Sequence, residues 1–451
     1  MNEDQTGIRS LVALGVIGLA MLAITAVLVP TGNDPAWYND DANWSLWTAI
    51  LIVCGFLALA ATQVAAHAPQ RRAFAVIAIV ALALRIVVLI EPPVMSTDIY
   101  RYVWDGMVQA HGINPYRYVP ADPALVFLRD TLIYPNINRV DYATTIYPPV
   151  AQMFFLAVTR LGETITVMRL GMIGCEVVTF LVIVDLLRRL GKPVTLSVAY
   201  AWHPLAFWEV ANNGHVDALM VMLVMIGVWL AVRHRNVFAG VLIALGALAK
   251  PYAIVALPAV WRPWDWRLPL AVMVTIVICY LPYLGVGEGA LGFFINGYLS
   301  EEGFEGGRGF WLVHVLQTAF GKLPALVPIY LALAAATMGL IALRAAFTQD
   351  VSPERTIRNI ALLFMATLFF LTPNYPWYYL VIVPFIPLGG GAPAWAMTIG
   401  AMLLYLLLPD YEARFLIWKG VIEVAFLIAL FATMQRAPSA MKPHGLLQWT
   451  R

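Results

Sequence analysis

Long apolar runs recur along the whole chain and alternate with short polar segments. The longest runs lie at residues 10–30, 44–66, 73–91, 165–187, 214–232, 268–285, 323–343 and 412–434. Shorter or proline-interrupted runs lie at 193–211, 236–262, 357–372, 377–389 and 393–408. A helix that crosses a bilayer needs about 20 apolar residues, so the pattern predicts an all-α polytopic membrane protein with about 12 to 14 transmembrane helices.

The composition agrees with this prediction. The 451 residues are 61% hydrophobic and only 12% charged, whereas soluble domains carry about 25% charged residues. We therefore expect a single transmembrane domain over residues 1–451. The net charge of +2 gives no reason to expect a nucleic-acid partner. The cysteines Cys54, Cys175 and Cys279 lie inside apolar runs, which favours small core residues over disulfides or a metal cluster.

The positions of Lys and Arg predict which loops lie on each side of the membrane. Cytoplasmic loops are enriched in these residues. We therefore place on the cytoplasmic side the basic segments 67–72, 188–192, 233–236, 261–267 and 352–358. The 31–43 loop contains acidic residues and no Lys or Arg, so we expect it outside. Both termini are then cytoplasmic, and residues 92–164 and 286–322 form two external regions of an inner-membrane protein.

One short run, PPVAQMFFLAVTRLG at residues 148–162, is assigned to the external face. It has only about 15 residues, too few for a span, and it opens with two prolines. Counting it as a span would also move the basic segment 188–192 to the outside, against the charge rule. We therefore predict an interfacial or re-entrant helix here, so that the first external region contains two surface helices.

The most polar stretch follows the third apolar run, at residues 96–118, STDIYRYVWDGMVQAHGINPYRY. With about 100° per residue, a helix collects on one polar face Asp98, Arg101, Tyr102, Asp105 and Gln109. An apolar face contains Ile99, Val103, Met107 and Ala110. The pattern predicts a helix that lies in the membrane interface and ends at Gly112. Either the helix is only an amphipathic anchor, or a partly desolvated carboxylate acts there as a general base.

Three charged residues stand out in or between the apolar runs. Arg85 lies within a span, where it marks either a functional site or a residue that pairs with an acid such as Glu91. Lys250 lies between two half-length apolar arms, either in a cavity or at an ordinary helix end. Arg308 ends the glycine-rich segment EEGFEGGR at 301–308, which fits a mobile lid that contacts a phosphate.

Two further segments combine polar and aromatic residues. In the segment WHPLAFWEVANNGHVDAL, Asn212 and Asn213 are predicted to cap the next helix, with His215 and Asp217 on its first turn. Such a helix terminus can bind an anion, and plain capping explains the same residues. The segment TPNYPWYYLVIVP at 372–384 fits either stacking on sugar rings or an aromatic belt at the membrane surface.

Four blocks, in this order along the chain, resemble the GT-C class of integral-membrane glycosyltransferases. They are STDIYRYVWDGMVQAHGINPYRY, IYPPVAQMFF, NNGHVDAL and NYPWYYLVIVP. The resemblance is closest to bacterial polyprenol-phosphate-mannose-dependent mannosyltransferases. It implies transfer of a sugar, mannose in the closest members, from a polyprenyl-phosphate donor to a glycan or lipid acceptor. The reaction is expected on the external face of the membrane, among membrane lipids.

The resemblance also implies roles for individual residues. A carboxylate in the first external region is the catalytic base of the class, which maps onto Asp98, and a single displacement inverts the anomeric carbon. Where the class often has an acid-x-acid pair, this chain has Thr97 and Ile99 beside Asp98. Asp105, with Arg101, is therefore the candidate for the second acid or its support. No metal ligand and no certain cofactor are predicted, and a divalent metal is left open.

The remaining candidate binding residues fall into two groups, one for the donor phosphate and one for the sugar or the acceptor. Those for the donor phosphate are Arg117, Lys250, Arg308 and Arg85, together with Arg101. Those for the sugar or the acceptor are His215, Asp217, Asn213, Asn374, Trp377 and Tyr378. The alternative is a transporter or flippase for a lipid-linked sugar, because broken helices with charges at membrane depth would suit transport. The acid-bearing external helix favours the transferase, since a transporter does not need it.

Overall fold

The computed structural model describes residues 3–28, 41–93, 95–285, 297–347, 352–406 and 411–436. Within these residues the chain forms helices and turns and contains no β-strand. The 31–43 loop lies mostly outside the described residues, as does the 286–296 part of the second external region.

The long helices follow the predicted apolar runs. They are α1 Glu3–Leu28, α2 Asp41–Ala65, α3 Gln70–Ile90, α4 Asp98–Ala110, α5 Pro149–Thr159, α6 Ile165–Arg189, α7 Asp217–Val232, α8 Asn236–Ala247, α9 Arg267–Tyr280, α10 Trp311–Phe320, α11 Leu326–Ala346, α12 Pro353–Leu371, α13 Gly391–Ala401 and α14 Tyr411–Arg436. Shorter helical segments, several of them 3-10 or π turns, lie at Pro123–Leu128, Tyr134–Asn136, Val194–Ser197, Val198–Ala201, Pro204–Phe207, Trp208–Asn212, Pro251–Ala256, Leu257–Val260, Leu281–Tyr283, Leu299–Glu301, Pro376–Ile382, Ile386–Gly390 and Met402–Tyr405.

The prediction of an all-α polytopic membrane protein is confirmed. Among the described residues, 6 helices are long and apolar enough to cross a membrane, or up to 7 if a pair bent by 58° counts as one span. This count, which uses length and composition alone, is lower than the predicted number of about 12 to 14. Several predicted spans form apolar helices of only 10–17 residues. A helix of that length is shorter than the hydrocarbon core of a bilayer.

The polar stretch forms α4, and Gly112 follows its end with φ +76°, as predicted. A helix in the membrane interface would turn its apolar face to lipid, but in the structure this face is buried within the protein. Ile99, Val103 and Trp104 are at most 1% exposed, because α4 packs against α5 and α6. Helices α4 and α5 therefore cover each other, and α5, of 11 residues, is too short to be a span.

Broken helical segments connect α6 to α7, at Val194–Ser197, Val198–Ala201, Pro204–Phe207 and Trp208–Asn212. The prediction that Asn212 and Asn213 cap α7 is wrong. The Asn212 side chain donates to the carbonyls of Val88 and Pro92, and the helix has no side-chain hydrogen bond at its N-cap. The physical reason is that both amides are needed to satisfy buried groups on the broken segment and on the chain that follows α3.

Arg85 is held between helices, and its partner is not Glu91. Its guanidinium forms a buried ion pair with Glu176 of α6 and donates to the carbonyl of Ala201. Glu91 lies at the end of α3, six residues further along the chain and on another side of it. The Arg85–Glu176 pair therefore connects α3, α6 and the broken segment inside the protein.

A close approach between α4 and α5 predicts the effect of a single methyl group. A Cβ on Gly106 would lie 2.0 Å from Oγ1 of Thr159 and 2.7 Å from the carbonyl oxygen of Phe155. We expect Gly106→Ala to destabilise the protein by about 1–3 kcal/mol, because overpacking forces the helices apart. Thermal unfolding in detergent, followed by loss of the monodisperse chromatographic peak, measures this.

Gly174→Ala is the matched control, because a Cβ on Gly174 of α6 would contact nothing within 4 Å. We expect this variant to unfold at the wild-type temperature or slightly above it, since Ala favours the helix. Equal unfolding temperatures for the two variants would contradict the tight packing of α4 on α5.

Candidate active site

A cavity of about 660 Å³ lies between the two regions predicted to be external and the ends of several helices. Its wall contains the start of α4, part of the loop before α5, the turn after α8, the chain before α10 and the aromatic segment after α12. The polar and aromatic residues of the wall include Asp98, Asn138, Arg139, Tyr147, Lys250, Tyr252, Tyr298, Glu302, Glu305, Tyr375, Trp377 and Tyr378. An apolar part of the wall contains Phe304, Phe310, Leu331, Leu368 and Leu371.

Asp98 is the first residue of α4, and its carboxylate is oriented by two side chains from the loop before α5. Nδ2 of Asn138 donates to Oδ1 at 2.7 Å, and the hydroxyl of Tyr147 donates to Oδ2 at 3.2 Å. Burial and the charge of Asp98 raise the pKa of Tyr147 well above its usual range, so its hydroxyl remains a donor. Each oxygen retains a lone pair for a ligand in the cavity.

Arg101 and Asp105 do not line the cavity; they hold the loop that orients Asp98. Nε of Arg101 lies 2.8 Å from Oδ1 of Asp105, and both residues are buried. A second guanidinium nitrogen donates to the carbonyl of Ala143 at 3.2 Å. Gln152 of α5 donates to Oδ2 of Asp105 at 2.9 Å and to Oγ1 of Thr145 at 2.7 Å. Asp105 is thus the counter-ion of Arg101 in this arrangement.

Two cations line the cavity, and each has a carboxylate partner. Nε of Arg139 donates to Oε2 of Glu301 at 2.6 Å. Burial alone would lower the pKa of Arg139, but the bond to Glu301 and the charge of Asp98 raise it. Nζ of Lys250 lies 2.7 Å from Oδ2 of Asp217. Arg139 was missed by the sequence analysis, because it lies in a loop without periodicity, and only its place in the first external region pointed to it.

The predicted aromatic residues line the cavity, with buried groups behind them. The ring of Trp377 stacks on Tyr375 at 4.4 Å and on His215 at 4.1 Å between ring centres. His215 is fully buried, so it supports the ring of Trp377 from behind. Tyr378 faces Nζ of Lys250, which lies 4.4 Å from its ring centre.

Other predicted residues lie behind the cavity wall or away from it. Asn213 is buried, and its amide donates to Glu209 at 2.9 Å. Asn374 donates to Oε2 of Glu302, a wall residue, at 2.7 Å. The structure does not bring Arg85, Arg117 or Arg308 into the cavity wall. Arg117 instead lies over the ring of Tyr118, at 5.6 Å from its centre.

The arrangement of carboxylates bears on the divalent metal that the sequence left open. Divalent cations such as Mg²⁺ and Ca²⁺ take oxygen ligands, which come from carboxylates, carbonyls, waters and substrate phosphates. In the part of the chain that the structure describes, no group of three or more His, Cys, Asp or Glu could hold a metal ion. Asp98 faces an amide and a phenol, while Asp105 faces Arg101. The nearest partners of both carboxylates in this structure are therefore hydrogen-bond donors of the protein.

The fold and the cavity fit the GT-C class of membrane glycosyltransferases, as the sequence resemblance implies. Residues 8–265 match the family model described as MptA_B family, alpha-(1->6)-mannopyranosyltransferase, N-terminal domain. The match covers more than half of the chain, and the chain belongs to this family. It begins within α1, so both helices that precede α3 are part of the family domain.

Three curated relatives are similar over part of their length. A probable alpha-(1->6)-mannopyranosyltransferase of Mycolicibacterium smegmatis is 29% identical over 199 residues, 41% of this chain and 32% of the relative. Alpha-(1->6)-mannopyranosyltransferase A of Corynebacterium glutamicum is 28% identical over 181 residues, 38% and 35% of the two chains. The Mycobacterium tuberculosis protein of that name is 26% identical over 226 residues, 49% and 42%. The chain thus spans less than half the length of each relative, and no solved structure gives a significant match.

The different surroundings of the two aspartates predict different stabilities for their variants. Asp105→Ala leaves the Arg101 guanidinium buried without its counter-ion, which we expect to cost about 3–5 kcal/mol. In Asp98→Asn the new side chain keeps the shape of Asp and one acceptor oxygen, and the position is only half-buried. We therefore expect this variant to lose less than about 1.5 kcal/mol of stability. Parallel thermal unfolding of the two purified variants measures the difference. An unfolding temperature for Asp105→Ala equal to that of Asp98→Asn would show that the ion pair does not support the fold.

Proposed function

We propose that this protein transfers mannose from a polyprenyl-phosphate donor to a hydroxyl group of a glycan or lipid acceptor. The observation that carries the proposal is the oriented carboxylate of Asp98 in a cavity that also contains two cations and an apolar wall. The family match supports mannosyl transfer. The relatives named as alpha-(1->6)-mannopyranosyltransferases suggest the class of linkage.

The cavity wall suggests how the donor is bound. A polyprenyl phosphate has an anionic head and a long apolar chain, so it requires cations beside a lipophilic surface. Arg139 and Lys250 supply the cations. A guanidinium group can bind two phosphate oxygens at once through two parallel N–H donors. The apolar part of the wall, from Phe304 to Leu371, supplies the surface for the first isoprene units. Arg139 thereby takes the role that the sequence had suggested for Arg117 and Arg308.

The chemical step follows from these positions. The acceptor hydroxyl oxygen attacks the anomeric carbon while the bond from that carbon to the phosphate oxygen breaks. Asp98 accepts the hydroxyl proton, and the polyprenyl phosphate leaves with the bonding electrons. Arg139 and Lys250 stabilise the negative charge that develops on the leaving phosphate. A single displacement of this kind inverts the anomeric carbon.

We place the active site on the external side of the inner membrane, with both termini in the cytoplasm. The two regions predicted to be external both contribute to the wall of the main cavity, with Asp98 and Arg139 from the first and Glu302 from the second. A separate small cleft is lined by residues from the segments predicted to be cytoplasmic or next to them, including His234, Arg262 and Thr356. The two groups of loops thus gather around different clefts, as opposite membrane faces require.

Replacing the proposed base tests the function directly. We expect Asp98→Asn to lose at least about 100-fold in the rate of transfer, because the amide cannot accept the proton. The measurement is mannosyl transfer from polyprenyl-phosphate-mannose to a synthetic mannoside by purified protein, with donor binding measured separately. Asn138→Ala is the graded comparison, since it removes one hydrogen bond to Asp98 but keeps the carboxylate. Wild-type rates for Asp98→Asn would remove Asp98 as the base. Release of the lipid-linked sugar across the membrane without transfer would favour a transporter.

Cysteine labelling tests the membrane sides. Tyr142 and Trp264 are 61% and 90% exposed, in segments assigned to opposite faces. With the three native cysteines replaced by Ala, we expect a membrane-impermeant maleimide to label Tyr142→Cys from outside intact cells. Trp264→Cys should react only after the membrane is opened, and both should react in detergent. Labelling of Trp264→Cys in intact cells would show that the assignment of membrane sides is the wrong way round.

A further inference from the structure

Glu302 is a carboxyl group of the cavity wall that the mechanism above does not use. It comes from the second external region, and it lines the cavity although it is only 6% exposed. The neighbouring acids behave differently, because Glu301 pairs with Arg139 and Glu305 is exposed. A buried carboxyl group is costly unless its oxygens are satisfied, so its partners indicate what it is for.

Protein groups occupy only some of the hydrogen-bond acceptor sites of the Glu302 carboxylate. Nδ2 of Asn374 donates to Oε2 of Glu302 at 2.7 Å, and the hydroxyl of Tyr298 also contributes a hydrogen bond. Arg139 and Lys419 act on it through their charges alone. Burial raises the pKa of Glu302, and these four groups lower it. A carboxylate offers about four acceptor sites, so this cavity-lining residue keeps acceptor capacity beyond its bonds to Asn374 and Tyr298.

Aromatic rings surround this carboxylate–amide pair. Tyr298 and Tyr378 are joined by a hydrogen bond between their hydroxyls. Tyr375 and Trp377 form a parallel stack, with an angle of 5° between the ring planes. A pyranose ring has apolar C–H faces and polar hydroxyls at its edge. Flat aromatic rings therefore match its faces, and a few fixed polar groups match its edge.

We infer that Glu302, held by Asn374, binds hydroxyl groups at the edge of one hexopyranose ring in the cavity. The inference rests on the proposed function and deepens it, because it assigns a sugar-reading group to the second external region. The ring belongs either to the donor or to the acceptor, and the chemistry of recognition is the same for both. In each case Glu302 accepts hydrogen bonds from the sugar and takes no part in proton transfer at the anomeric carbon.

Glu302→Gln tests this inference, because the amide keeps an acceptor for Asn374 but replaces one acceptor oxygen with a donor. We expect KM for one sugar substrate to rise about tenfold or more, as for a lost hydrogen bond to a charged group. The value of kcat should change by less than about threefold, because the loss affects binding in the ground state and in the transition state alike. Separate titrations of polyprenyl-phosphate-mannose and of a synthetic mannoside acceptor show which substrate carries the ring.

The pH dependence gives a second readout. The ionised form of Glu302 accepts hydroxyl hydrogen bonds, and its pKa is raised. Affinity for the sugar should therefore fall on acidification at a higher pH than for an exposed Glu. In Glu302→Gln this fall in sugar affinity on acidification should be absent, because the amide does not titrate. If the sugar affinity of the variant falls on acidification as that of wild type does, another group is responsible for the pH dependence.

Glu163→Gln is the matched control, since it makes the same charge change at an exposed external position outside the cavity. Its KM values should equal those of wild type. Should Glu302→Gln fail to give a monodisperse protein, Asn374→Ala leaves the carboxyl group in place and tests the same pair. Wild-type KM values for both substrates in a folded Glu302→Gln or Asn374→Ala would overturn the inference.

Direct binding separates this inference from the proposed function. Saturation-transfer NMR with methyl α-D-mannopyranoside should give a signal with wild type and a strongly reduced one with Glu302→Gln. If wild type transfers no mannose but shows this difference, the proposed function fails and the sugar site stands. If wild type transfers mannose and Glu302→Gln binds and reacts as wild type does, only the sugar site fails.

Discussion

The buried ion pair between Arg101 and Asp105 is the interaction on which the geometry of the cavity depends. Each charge alone would be strongly destabilising in this position, so neither can be lost or turned towards solvent. A second nitrogen of Arg101 and the amide of Gln152 extend the pair to Ala143 and Thr145 in the loop before α5. That loop carries Asn138 and Tyr147, which orient Asp98. The charges inside α4 therefore determine where a carboxylate at its first residue points.

Charge balance is the second constraint on the cavity. Arg139 and Lys250 are each held by a carboxylate, Glu301 and Asp217, in a cavity with many aromatic walls. An unpaired cation in such surroundings would be costly, and it would bind a phosphate product tightly. Pairing holds both cations in position while it weakens their hold on a bound anion. Under the proposed function, this balance favours turnover, because the leaving phosphate must be released after each transfer.

Sequence periodicity predicted much of the fold but not what covers each face. The period of α4 separated its polar and apolar faces correctly, and Gly112 marked its end. The same pattern is produced by a helix on lipid and by a helix covered by another helix, so the burial beneath α5 was missed. Arg85 and Glu176 are separated by 91 residues, and no local pattern connects them. Arg139 lies in an irregular loop, where residue type alone carries no positional information.

The candidate site itself was predicted in part, for a reason that lies in the backbone. Lys250 was singled out because it lies between two half-length apolar arms, and Trp377 and Tyr378 because they belong to an aromatic segment that could stack on sugar rings. A proline stands next to each of these sites, at Pro251 and Pro376. Irregular backbone at membrane depth is tolerated only where protein or a cavity satisfies its polar groups. The interruptions are 3-10 turns that bring these side chains to the cavity wall. A break in an apolar run is therefore a better guide to a buried polar site than the polar residues alone, because it shows where the chain leaves the regular helix.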